Sequence, residues 1–86
     1  MAAEAVIEVA LEVDVRGPAS QCDGAPPLVR YALDFDATGL AAARVVEPLG
    51  IDPDLELCLI SAVQAGTWPR VAEPVVGIWP LALVPP

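Results

Sequence analysis

The sequence predicts an α+β fold in one domain: a mixed sheet with one helix across one of its faces. Three observations carry that prediction. Two segments in the first half alternate apolar and polar residues with period two. One alanine-rich segment between them and the later apolar runs breaks that period, with capping residues at its start and a glycine at its end. The final stretch, PVVGIWPLALVPP, is uncharged in a chain whose formal net charge is -8, which is the composition of a buried strand. At 86 residues the chain has room for one modest core, so residues 1–86 are read as a single domain.

Taken in order, Ile7, Val9, Leu11, Val13 and Val15 occupy odd positions while Glu8, Glu12 and Asp14 occupy even ones, which predicts a half-buried strand over residues 5–15. Glu4, Glu8 and Glu12 also fall at helical spacing, so a helix is the competing assignment. Residues 16–27 form a Gly, Pro and Ser-rich connection. Val29, Tyr31, Leu33 and Phe35 then alternate with Arg30, Ala32, Asp34 and Asp36, predicting a second strand and a hairpin with the first. The segment DATGLAAARVVEPLG offers Asp36 and Thr38 as N-caps and Gly50 as a left-handed terminus. It predicts the single helix, ending by Glu47 because Pro48 cannot continue it. Asp52, Pro53 and Asp54 predict a turn. Leu55, Leu57, Leu59, Ser61 and Val63, with apolar neighbours Cys58, Ile60 and Ala62, predict a central strand. Pro69 and Pro74 confine residues 68–72 to an edge or an irregular loop. Leu81 to Val84 predict a short buried final strand.

Composition excludes several kinds of chemistry. Twelve acids face only Arg16, Arg30, Arg44 and Arg70, so phosphate backbones would be repelled and no nucleic-acid partner is expected. A protein partner with a basic docking surface is the electrostatic complement. The chain has no His and no Lys, so Ser20, Ser61, Thr38, Thr67 and the cysteines lack the usual proton acceptor, and no catalytic residue is expected. Cys22 and Cys58 make neither a redox motif nor a zinc set; Cys58 is expected to be a reduced core thiol, with a disulfide to the exposed Cys22 as the alternative. Asp52, Asp54 and Glu56 superficially echo a calcium loop but lack its other ligands, so turn and cap chemistry is preferred and no metal or cofactor is expected. The acidic start has no positive leader region and no apolar run reaches the ~20 residues of a membrane span, so a cytoplasmic chain off the membrane is expected.

The segments ATGLAAARVVEPLGIDPDLELCLISAVQAG and LALVPP resemble the MoaD/ThiS-type sulfur-carrier group of the ubiquitin-like β-grasp fold. Leu49 and Gly50 match the Leu-Gly that ends the group's helix, and Gln64 to Gly66 match its short turn. The resemblance implies a last strand running through the middle of the sheet. The group's Asp-Gly-Asp turn is replaced here near Gly77 to Trp79, and its C-terminal Gly-Gly does not follow Pro86; the resemblance implies that sulfur transfer would fail if the native chain ends there and not if a tail follows.

Three functional readings follow. The leading one is a non-catalytic, ubiquitin-like interaction module that docks on a larger basic protein. Its expected contact residues are Trp68, Trp79, Val84, Pro85 and Pro86, since the two tryptophans, if exposed, are strong interface anchors, the alternative being that they are buried and fill the core. The second is a sulfur carrier whose Gly-Gly tail is missing from this chain. The third is a small self-associating structural protein, with residues 5–15 helical and the apolar tail paired in a homo-oligomer.

Overall fold

The computed structural model describes residues 3–83, and its architecture is organised around one strand. β1 (Leu28–Asp36) lies at the centre of a three-stranded sheet of order β2-β1-β3, with β2 (Gly39–Glu47) and β3 (Val75–Ala82) as its edges. The predicted alternation is realised in β1: Val29, Tyr31, Leu33 and Phe35 are buried on one face. Both flanking strands run antiparallel to β1. An α+β arrangement is therefore present, but the sheet is antiparallel across the described residues where a mixed one was expected. The final strand is also an edge strand. It returns on the free side of β1, opposite the hairpin, so β1 alone is paired on both sides.

The segment expected to be the helix is β2. Asp36 and Thr38, read as caps, make a hairpin turn: the Asp36 carboxylate accepts hydrogen bonds from the Thr38 N–H (2.8 Å) and hydroxyl (2.5 Å). These bonds hold the Asp36 carboxyl below the usual carboxylate range, the hydroxyl contributing most. Gly39 takes φ +107°, a conformation that no non-glycine residue of the described chain adopts. Register shifts on either side of the pairing from Asp34 to Tyr31 put an extra residue into the ladder, so the inward residues of β2 are Leu40, Ala43 and Val45. A spacing of three between Leu40 and Ala43 imitates a helix.

Residues 3–20 are helical rather than extended. α1 (Ala3–Ala10) continues through a π-helical turn (Leu11–Val15) into α2 (Arg16–Ser20). Ile7, Leu11, Val15 and Ala19 are buried, a strict four-residue repeat. In an α-helix each four-residue step overshoots a full turn by about 40°. The wider π turn takes up part of that drift and keeps the repeat on the core. Full burial of Ile7, Leu11 and Val15 contributes roughly 1.5–3 kcal/mol each.

α3 (Pro53–Gln64) replaces the predicted central strand. Asp52 is its N-cap, accepting the Asp54 N–H at 2.8 Å, with Pro53 in the first turn beside Asp54 and Glu56, where acids favour the helix dipole. Leu59, Ala62 and Val63 are buried, with Leu55 packed against the same core, whereas Leu57 is exposed. The apolar faces of both helical bodies and the odd face of β1 form one core. Two helical bodies thus share the sheet face on which one helix was expected. Tyr31 locks α3 to β1, its buried hydroxyl donating to the Leu59 carbonyl at 2.9 Å.

Candidate functional site

With four residues per repeat, residues 3–20 present four stripes. Opposite the core stripe lie Val9 and Val13, 58% and 72% exposed on a helix whose other face is fully buried. On one flank of them run Glu4, Glu8 and Glu12, all exposed; on the other run Val6, Ala10 and Asp14. Val6, Val9, Ala10, Val13 and Asp14 together line a shallow depression of about 330 Å³. This is an apolar seam between acidic borders. The one cation of the segment, Arg16, closes the glutamate flank: its guanidinium lies 3.8 Å from Glu12, and its Nε–H donates to the Ala82 carbonyl at 2.8 Å, which leaves Glu4 and Glu8 as the uncompensated acids of that flank. The seam needs alternate apolar positions with acids between them, which is the pattern that also imitates a strand.

The residues expected to make contacts are placed differently. Trp79 is buried, 6% exposed, and its ring lies over Gly77, where an added Cβ would stand 2.9 Å from the indole. It packs edge-on against Phe35 with ring centroids 5.9 Å apart. Trp68 is half-buried with its ring centroid 5.5 Å from that of Phe35, and its Nε1–H donates to the Val63 carbonyl at 2.7 Å. In so small a core these indoles supply bulk and cap the end of α3, so Trp79 is withdrawn from the contact surface and Trp68 is largely committed to the interior. Val84, Pro85 and Pro86 lie outside the described residues.

A second depression, of about 480 Å³, is lined by Asp23, Gly24, Asp52, Asp54, Leu55 and Cys58. Asp52 is occupied there as the helix cap. Among the described residues no group of three or more His, Cys, Asp or Glu side chains could hold a metal ion. Cys58 is not the reduced core thiol expected: it lies on the exposed side of α3 and is bonded to Cys22, which is the buried member of the pair. The bond ties the end of the N-terminal helical body to α3 across 36 residues of chain. No described helix is long and apolar enough to cross a membrane.

Comparison with protein families, with curated proteins and with solved structures finds no match to this chain.

Proposed function

We propose that the chain is a non-catalytic interaction module, and that the seam on residues 3–20 receives a basic amphipathic helix from a larger protein. The observation that carries this reading is the pair Val9 and Val13, exposed between Glu8 and Glu12 on one side and Asp14 on the other. Aliphatic anchors of a partner helix would fill the seam, and its Lys or Arg residues would meet the carboxylates, which is helix-in-groove recognition with electrostatic steering. A net charge of -8 favours the same class of partner and disfavours nucleic acid. Support for a non-catalytic role is chemical: the chain has no His or Lys, and Asp36 and Asp52 are spent on holding a turn and a helix end.

The ubiquitin-like reading enters this proposal through the hairpin of β1 and β2 followed by α3 on one sheet face. Sulfur carriage draws no further support from the described residues. As for location, the Cys22–Cys58 bond favours an oxidising compartment over the cytoplasm expected from the sequence, because disulfides persist there.

The test compares immobilised wild-type chain with the double variant Val9→Gln, Val13→Gln in capture from native extract. Gln keeps helix propensity while removing the apolar anchors. The reading expects a helical, basic partner to be retained by the wild type and lost at least tenfold in the variant, as roughly 1 kcal/mol or more per anchor implies. Equal retention would overturn it.

A further inference from the structure

Among the described residues the helices cover one face of the sheet. On the other, β3 presents Val76, Ile78, Pro80 and Ala82, and β1 presents Leu28, Arg30 and Asp34 and carries the buried Ala32. β2 adds Ala42, Arg44 and Glu47 through the pairings Asp34↔Ala42, Ala32↔Arg44 and Arg30↔Glu47. Val76 is 73% exposed and Ile78 59%. We propose that this open face is the docking surface for a second copy of the chain, packed face to face about a two-fold axis.

Charge is the first argument for that occupant. Two of the four arginines, Arg30 and Arg44, stand on this face with Asp34 and Glu47, so the self-repulsion built into the rest of a -8 chain is nearly absent here. Arg30 is paired with Glu47 at 3.1 Å; Arg44 and Asp34 have no ion-pair partner among the described residues. One unpaired cation and one unpaired anion on the same patch are what an isologous contact requires, because a two-fold axis brings each against the other.

The register supplies the second argument. The Ala32 row holds Arg44 and Ile78, and the Asp34 row holds Ala42 and Val76. An axis crossing the strands between these rows sets Ile78 of one copy over Val76 of the other and brings Arg44 beside the second copy's Asp34, twice by symmetry. Packing with nearly aligned strands is an ordinary geometry for two sheet faces.

Edge pairing, the alternative way for sheets to associate, is obstructed at β3. Leu83 donates its N–H inward to the Pro27 carbonyl, so even residues of β3 turn their backbone groups outward. On that outer edge Pro80 offers no N–H, and the Ala82 carbonyl is taken by Arg16. Three strands of eight or nine residues outline roughly 400 Å² per copy from standard strand dimensions. Counted over both copies that is about 800 Å², below the size of a stable specific interface, so the dimer is weak and concentration-dependent.

Sedimentation of the full chain from about 1 µM to about 1 mM tests this, since a small interface places dissociation in that range. Arg44→Glu and Asp34→Arg are each expected to weaken the dimer at least tenfold. Combining both in one chain restores it, and mixing the two single variants gives a heterodimer. Ile78→Thr, which keeps a β-branched residue, also weakens it, whereas Val9→Gln with Val13→Gln leaves it unchanged. Far-UV circular dichroism verifies folding, and if a single charge variant fails that check, the double swap and Ile78→Thr decide. A wild type that stays monomeric, or a dimer indifferent to the charge swap and to Ile78→Thr, would overturn the proposal.

Discussion

Tyr31 is the residue on which two elements meet. Its side chain is fully buried in β1 and its hydroxyl reaches the Leu59 carbonyl of α3. Replacing it with Phe keeps the ring and deletes one neutral hydrogen bond, a cost of about 1 kcal/mol. In a domain of this size that lowers the melting temperature by roughly 4–8 °C. Burial also pushes the phenol above its ordinary range. The folded pKa lies above the unfolded one, so the folded state holds the proton longer. The stability from this group is therefore complete below pH about 10 and is lost as pH rises through the folded pKa. Thermal melts across alkaline pH are expected to show this decline in the wild type, with the Tyr31 contribution to it removed in Tyr31→Phe. Identical profiles would mean that the hydroxyl is solvated.

Between elements, the Cys22–Cys58 bond is the one covalent tie, joining α3 to the loop after α2. Closing a loop of 36 residues restricts the unfolded chain by about 4 kcal/mol in the chain-entropy account. Against a typical total of 5–15 kcal/mol, reduction or the double change Cys22→Ser, Cys58→Ser is expected to lower the melting temperature by roughly 15–30 °C. Melts with and without reductant check this, and superimposable curves would place the thiols apart. The elements differ in how far the sequence discloses them. β1 is legible because its odd face is buried and its pairing with β3 runs without a register shift. In residues 3–20 the buried Ile7, Leu11 and Val15 are a subset of the alternating apolar residues; Val9 and Val13 complete a false strand pattern. They are also the residues of the candidate seam, so one signal concealed both the element and its surface. Apolar side chains at nearly every position of α3 satisfy either period. The deciding feature was the cap of Asp52 and Pro53, which reads equally well as a turn. For β2 the bulges and alanines favour a helix locally, and pairing with β1 overrides that preference.

For the whole molecule, segregation of surfaces is the main result. The core takes both tryptophans to different depths, the sheet's open face is nearly neutral, and residues 3–20 carry an apolar seam with acidic borders. Exposed aliphatic side chains ordinarily occur singly; Val9 and Val13 lie one turn apart and continue into Val6 and Ala10, and the proposed docking role rests on that continuity. The most direct test of that central claim is site-specific photo-crosslinking in native cells, with the reactive residue at position 13 and a control at position 57, since Leu57 is comparably exposed on α3 away from the seam. A defined adduct is expected at position 13 to one protein, mapping to a basic amphipathic helix, that disappears when Val9 is changed to Gln and is absent from position 57. Adducts of equal yield at both positions, or a position-13 adduct that survives the Val9 change, would contradict it.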